Sequence, residues 1–184
     1  MRRTLRPDSA PGRRTAALND VAGAAFIGRW LTRRNANLAA MFSPSQEDVR
    51  RFYCTVYAKT RSNQPMEAIE TLAGQWIDEH PEYHADFADE ATAIGKMYDT
   101  SEGRTNPFLH LSMHLSISEQ CSIDQPHGIR QAVELLAARR GSLHEAHHEA
   151  MECLGQMMWE SQRSGRPPDG QAYIDCVQRR ATKD

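Results

Sequence analysis

From residue 41 onward, apolar side chains recur at helical spacing, and the strict alternation typical of strands is absent. In the first segment they follow an i, i+3, i+4, i+7, i+8 pattern, at Val49, Phe52, Tyr53, Val56 and Tyr57. Ser43, Pro44 and Gln46 provide an N-cap residue, a proline at the first helical position and a capping-box partner. The pattern therefore predicts a first helix that begins at Pro44.

A second helix is predicted from Pro65, with an apolar stripe at Ile69, Leu72, Ala73, Trp76 and Ile77. His80 continues that stripe by one more turn. Pro81 disfavours helical geometry at the residue before it, so the helix ends or restarts there. Residues 85–105 are polar and predict a loose connection with a short turn around Ile94.

Four more helices are predicted in the remaining chain, each from its own start and stop signals. Their predicted bounds are Asn106-Pro107 to about Cys121, Ile129 to Gly141, a capping box of Ser142 and Glu145 to about Gly165, and a last helix capped by Asp169. With short loops and no strands, the pattern predicts an all-α, single-domain bundle of about five to six helices without a sheet, over residues 41–184.

The distribution of charged residues also divides the chain at residue 41, where the helical pattern begins. Residues 1–40 contain eight arginines, no lysine and two acidic residues, a net charge of +6. Arginines follow its longest apolar run directly, which is unlike a secretory signal. We expect a disordered basic extension, or translated upstream sequence with Met41 as the working start. A basic arm that contacts nucleic acid or anionic lipid is the alternative.

Residues 41–184 contain 14 basic and 22 acidic side chains, a net charge of −8. Such an acidic body argues against nucleic-acid binding, because phosphates require a basic face. No apolar run approaches the roughly 18 residues that a membrane span needs, so none is predicted. A protein partner or a homo-oligomer stays open.

The four cysteines are widely spaced, at Cys54, Cys121, Cys153 and Cys176, and contain no C-x-x-C pair. Each falls in a predicted helix. The spacing favours free thiols packed as small apolar residues, without a disulfide framework, and a cytoplasmic location.

Histidine is over-represented in the acidic body, which holds all eight. Six form three pairs spaced i, i+4, at His80/His84, His110/His114 and His144/His148. Such a pair lies one turn apart on one helix face, so two imidazoles can bind one ion. The zinc-protease motif is absent, because Leu111 stands where its glutamate would be.

Helical projection indicates which pairs face inward. On the third helix, Ser112, Ser116 and Glu119 form a polar strip, and the pair His110/His114 lies opposite it, toward the interior. A buried imidazole needs a hydrogen-bond partner or a metal.

The fifth helix repeats the chelating geometry with a carboxylate, in His148 and Glu152. His147 lies in the middle of its apolar face, as expected for a hydrogen-bonded core residue. Because Pro81 interrupts the helix between them, His80 and His84 are the weakest pair. His127, in a turn, is expected to be exposed.

The first hypothesis is a metal-binding helical bundle. Its inner ligands are His110, His114, His148 and Glu152, and a second site or outer shell is formed by His84, His144 and His80. Imidazole and carboxylate ligands without thiolate suit Zn, Fe, Mn or Ni. If the site were catalytic, an open coordination position would activate water or oxygen, but no particular reaction is predicted.

Two alternatives stay open. One is a non-catalytic interaction or adaptor domain with structural histidines, in which Met151, Met157 and Met158 line a partner groove or fill the core. The other is a pH-responsive bundle, because clustered imidazoles charge together near pH 6.

Several segments resemble an uncharacterised bacterial family catalogued as domain of unknown function 1841. The hallmark is the run of residues 106–115, and the other similar segments are 80–84, Glu119-Gln120, 124–126 with Gly128-Ile129, 151–155, Trp159, Gln162-Arg163, Pro168-Asp169 and Tyr173. The resemblance covers about residues 41–180. Family members begin near the position of Met41, so the first forty residues depart from the pattern. No activity is assigned to the family, so the resemblance implies a domain and no reaction.

Overall fold

The computed structural model describes residues 45–98 and 105–182, and within these two ranges every regular element is helical. The elements are α1 (Gln46–Arg61), α2 (Ala68–Asp78), a 3₁₀ turn (Pro81–Tyr83), α3 (His84–Phe87), α4 (Glu90–Gly95), α5 (Pro107–Ile123), α6 (Ile129–Arg140), α7 (Leu143–Ser164) and α8 (Gly170–Thr182). The all-α class is confirmed, whereas the predicted count of five to six helices is too low. The predicted basic extension lies outside the described residues.

Three of the predicted caps lie where the sequence indicates. Asn106 Oδ1 accepts hydrogen bonds from the main-chain N–H groups of Phe108 and Leu109 at the start of α5. Ser142 Oγ accepts from the first turn of α7, and Asp169 Oδ1 accepts from two N–H groups in the first turn of α8. Each cap satisfies donors that the first helical turn leaves without partners, and this fixes where the helix begins.

The first two helices begin later than predicted. The cap of α1 is Ser45 rather than the predicted Ser43, which lies outside the described residues. The side chains of Ser45 and Asp48 form a reciprocal capping box. α2 begins at Ala68 rather than at Pro65. Its cap is Glu67, which forms an analogous box with Glu70. In both cases an acidic side chain at the third helical position accepts the N–H of the cap residue itself.

The loose connection predicted over residues 85–105 contains more helix than expected in its described part: the turn predicted around Ile94 is the short helix α4, and most of α3 also lies in this segment. Asp89 caps α4 through the N–H of Ala91, and Phe87 and Ala93 are buried. Arg50 of α1 donates hydrogen bonds to carbonyl oxygens at the end of α4, at 2.9 and 2.7 Å. Tertiary contacts therefore stabilise two helices that are too short for periodicity to reveal.

The apolar residues form two clusters that meet along α5. The first core lies between α1, α2, α3, α4 and the beginning of α5, and its largest buried members are Tyr53, Trp76, Ile77, Phe87, Phe108 and Leu111. The second core lies between the end of α5 and α6, α7 and α8, and includes Ile117, Ile129, Leu136, Leu154, Tyr173 and Val177. We refer to the boundary between these cores, where His80, His114 and His147 are buried, as the seam.

Because α5 packs against both cores, it has no continuous solvent-facing strip. The polar strip predicted for this helix is therefore wrong at Ser116, which is buried and accepts a hydrogen bond from Gln120 Nε2 at 3.1 Å. Ser118 is half-buried and accepts from Nε1 of Trp76 at 2.8 Å. Small hydroxyl side chains thus satisfy polar groups inside the bundle.

The cysteine prediction is wrong for one pair. Cys153 of α7 and Cys176 of α8 form a disulfide with Cα atoms 5.8 Å apart, whereas Cys54 and Cys121 are free thiols as expected. The two bonded residues are 23 positions apart on different helices. Their pairing depends on how α7 packs against α8, which spacing along the chain does not reveal.

The methionines of α7 belong to the interior. Met151 and Met158 are buried in the second core, and Met157 packs against it. Of the two predicted roles, core filling is confirmed and a partner groove is wrong. No helix within the described residues has both the length and the apolar character to cross a bilayer.

Candidate metal centre

Four histidines from three separate segments converge at the seam. His80 follows α2, His110 and His114 lie one turn apart on α5, and His148 lies on α7. Each offers a ring nitrogen, and these four nitrogen atoms all lie within 4.8 Å of one another. We refer to these four residues as the histidine centre.

His80 is held by the end of α2, and its side chain is 1% exposed. Its Nδ1 lies 2.7 Å from the carbonyl oxygen of Trp76, one turn earlier. A carbonyl only accepts, so Nδ1 carries the hydrogen, and Nε2 of the neutral ring has a free lone pair. This Nε2 lies 3.1 Å from Nε2 of His110.

His114 is fully buried, with one ring nitrogen in contact and the other without a partner. Its Nδ1 lies 3.5 Å from Nδ1 of His147. Its ring stacks on Trp76 at 4.1 Å between centroids. Its Nε2 has no hydrogen-bond partner in the part of the chain that the structure describes. An enclosed ring nitrogen of this kind is costly unless it binds something.

The α7 side of the centre contains a second close pair. Nε2 of His144 lies 3.2 Å from Nε2 of His148, and the ring of His144 lies 4.6 Å from that of His80. Nδ1 of His144 faces Oε2 of Glu79 at 3.5 Å. A carboxylate at that position favours the tautomer with hydrogen on Nδ1, which leaves Nε2 free to act as a ligand.

Burial makes these rings poor bases. It lowers the pKa of His110 to about 3, with a further contribution from the neighbouring histidines, and it lowers the pKa of His147 to about 3 for the same reasons. The pKa values of His80, His114 and His148 are also lowered, again mainly by burial. The rings are therefore neutral near pH 7 and retain the lone pairs that metal binding requires.

These shifts also bear on the pH-responsive alternative, which needs rings that gain charge near pH 6. At about 3, the pKa values of His110 and His147 lie far below that pH. The shifts therefore give this alternative no support.

The spacing of the ring nitrogens matches a coordination shell. With Zn–N bonds of about 2.0–2.1 Å, two nitrogens of a tetrahedral site lie about 3.3 Å apart. The Nε2–Nε2 separation of 3.1 Å for His80/His110 is close to that length, and all four ring nitrogens of the histidine centre lie within 4.8 Å of one another. The geometry is therefore compatible with an ion that binds imidazole nitrogen.

Other predicted ligands lie outside the histidine centre. His84 donates from Nε2 to the carbonyl oxygen of Ile77 at 3.0 Å and packs on a tyrosine of α1. Glu152 is 69% exposed, and its Oε2 accepts from Arg180 at 2.7 Å. His127 is exposed, as predicted.

Two contributors to the site have only faint signals in the sequence. Glu79, next to His80, was not predicted, although it is an acidic residue at the end of a helix that carries a candidate ligand. His80 lies in the histidine centre. The sequence ranked the pair His80/His84 lowest, because Pro81 interrupts the helix between the two residues. The proline ends α2 and turns the chain, and its preceding residue adopts a non-helical backbone conformation.

Over residues 45–98 and 105–182, fold and site together define a helical bundle with a cluster of buried and half-buried histidines between two cores. The family model described as "Domain of unknown function (DUF1841)" matches residues 45–179, and the chain belongs to this family. No curated protein and no solved structure matches the chain.

Proposed function

We propose that this protein binds one first-row transition-metal ion through His80, His110, His114 and His148. The observation that carries the proposal is Nε2 of His114, which is buried beside the other three ring nitrogens and has no hydrogen-bond partner among the described residues. Hydrogen bonds between imidazoles satisfy the other rings without a metal, but they leave this nitrogen unsatisfied. A bound ion supplies the missing partner.

The outer contacts of the rings support the same assignment. Metal-binding histidines usually donate their second N–H to a carbonyl, a carboxylate or another acceptor, which orients the ring. His80 does this with the carbonyl of Trp76, and His114 has Nδ1 of His147 in the corresponding position. In both rings Nε2 is therefore the nitrogen directed at the ion.

The ligand type limits the choice of ion. Zn, Fe and Ni accept neutral imidazole ligands, whereas Mn prefers oxygen ligands and is less suited to a site without a carboxylate. Four protein ligands complete a tetrahedral shell, which is typical of structural rather than catalytic zinc. We therefore propose a metal-binding domain and no reaction.

Elemental analysis of untagged protein tests the proposal. After reconstitution with Zn, Fe or Ni salts and removal of excess metal, we expect about one equivalent in the wild type and in His84→Ala, but not in His110→Ala or His114→Ala. His84 is the matched control because it is a histidine on a neighbouring element whose Nε2 is already hydrogen-bonded. Less than about a tenth of an equivalent in the wild type would contradict the proposal.

Unfolding measurements separate a lost ligand from a damaged fold. Metal at about a thousand times its Kd should stabilise the wild type by about 4 kcal/mol against urea. His114→Ala should lose this metal-dependent increment, whatever it does to the metal-free protein. An equal increment in wild type and variant would show that His114 is not a ligand.

A further inference from the structure

The histidine centre is unevenly accessible to solvent. His80 and His114 are 1% and 0% exposed, whereas His110 and His148 are half-buried. The ring of Tyr83 lies 5.6 Å from that of His80, with the two planes nearly parallel, and 5.7 Å from that of His110. Tyr83 therefore covers the His80/His110 side, and the α7 side is the more open one.

On that open side, His144 bridges solvent and the interior. Its side chain is 27% exposed, and its neighbour Glu79 is 60% exposed. Its ring nevertheless lies 4.4 Å from that of His148 and 5.5 Å from that of His114. An ion at Nε2 of His144 is thus already within reach of His148, one turn further along α7.

Carboxylates make this side attractive to a cation. Burial lowers the pKa of His80 and of His148, and the negative charges of Glu79, Glu82 and Glu145 oppose that shift. These glutamates are exposed and lie on the end of α2, the 3₁₀ turn and the first turn of α7. Their combined field raises the local concentration of a divalent ion.

We propose that His144, oriented by Glu79, is the entry ligand of the histidine centre. His144 and His148 together take a divalent transition-metal ion from solvent, and the ion then passes to the buried nitrogens of His80, His110 and His114. His144 leaves the ion once the inner four ligands are in place. The inference rests on the proposed function, since it concerns how that same site is loaded.

An entry ligand changes rates without changing the final affinity. A group that binds the ion only in passing lowers the barrier for entry and for exit alike, so its removal slows both. Loss of a permanent ligand instead weakens the equilibrium affinity, chiefly through faster dissociation. Measuring the two rate constants separately therefore distinguishes the two roles.

The experiment is stopped-flow absorbance with Co²⁺ as the probe, whose visible spectrum reports its ligand geometry. In His144→Ala, association and dissociation should each slow about tenfold, with Kd within about threefold of wild type. Glu79→Gln should slow association less, and added salt should reduce that difference. The controls are His84→Ala and Glu134→Gln, which make the same changes outside this region and should leave both rates unaltered.

His144→Phe, which keeps the bulk of the ring, provides a second variant if His144→Ala folds poorly, and circular dichroism checks both. Unchanged rates in these variants would overturn the inference. So would a large loss of affinity with unchanged association, which would make His144 a permanent ligand. If wild type binds no Co²⁺, the proposed function fails first, so the two failures are distinguishable.

Discussion

Two contacts determine how the ring of His114 is oriented. Its Nδ1 faces Nδ1 of His147 at 3.5 Å, and its plane is stacked on Trp76. His147 is itself buried and also lies against Trp76, at 4.5 Å between ring centroids. We therefore infer that His147 orients the proposed ligand His114, in addition to being the buried core residue that its position in the sequence predicts.

His147→Leu tests this assignment. The substitution removes the partner of His114 Nδ1 and places an apolar side chain of similar size in the interior. We expect about 10- to 100-fold weaker metal binding with the stoichiometry unchanged, as is usual when an outer partner of a metal ligand is lost. Competition with a chromophoric chelator measures the affinity. His84→Leu is the control, and equal affinities in the two variants would contradict the assignment.

The lowered pKa values predict how the metal-free protein responds to acid. In the unfolded chain the pKa of histidine is near 6.5, whereas burial lowers the pKa of His110 and His147 to about 3 in the folded protein. Between these values the unfolded state binds more protons, so stability rises with pH and is complete above about 6.5. It should fall progressively as the pH drops from about 6.5 toward 3.

Urea midpoints measured with a chelator present, from pH 7.5 to 4.5, check this expectation. His147→Leu should show a shallower decline, because one buried histidine no longer takes up a proton on unfolding. A midpoint that is independent of pH would contradict the burial of these rings.

At the scale of the elements, α5 determines the geometry of the site. It carries two of the four proposed ligands and contacts both cores, and its start is fixed by Asn106 and Pro107. The sequence predicted this start correctly, because the N-cap and the following proline act locally. It did not predict the burial of Ser116, which depends on helices distant in the chain.

Asn106→Ala should lower the free energy of unfolding by about 1 kcal/mol, because the N–H groups of Phe108 and Leu109 lose their acceptor. His110 lies one turn beyond this cap, so the metal stoichiometry should stay the same. Chemical denaturation together with elemental analysis measures both effects. A loss of metal in a folded Asn106→Ala protein would show that the first turn of α5 positions His110 directly.

The candidate site shows which ligand positions can be predicted from residue spacing along the chain. The spacing of His110 and His114 predicted one face of one helix, and both residues lie in the histidine centre. Glu152 has the same spacing from His148, yet Arg180 of α8 pairs with its carboxylate at the surface. Spacing along the chain identifies ligands that share a helix, but only packing determines which helix faces bring them together.

At the scale of the whole molecule, the histidine centre connects two cores. His80 comes from the segment that packs in the first core, and His148 comes from α7, which packs in the second. A bound ion would join them at the seam, where the imidazoles of His80, His114 and His147 are buried. Metal binding should therefore stabilise both halves together.

Hydrogen exchange measured by mass spectrometry, with and without Zn²⁺, tests this coupling. We expect slower exchange at the end of α2, in the first half of α5 and in the first two turns of α7, because these segments carry the proposed ligands. The helices α6 and α8 contain no proposed ligand and should change less. Protection confined to one core would contradict an ion shared between the two.

The stacking of Trp76 on His114 has a spectroscopic consequence. An indole whose ring centroid is 4.1 Å from a proposed metal ligand lies close enough for an open-shell ion such as Ni²⁺ or Co²⁺ to quench its emission. Closed-shell Zn²⁺ lacks the low-lying electronic states that cause such quenching. The chain has three tryptophans, so a coloured ion in the centre should quench the share of the natural fluorescence that comes from Trp76, with no added dye.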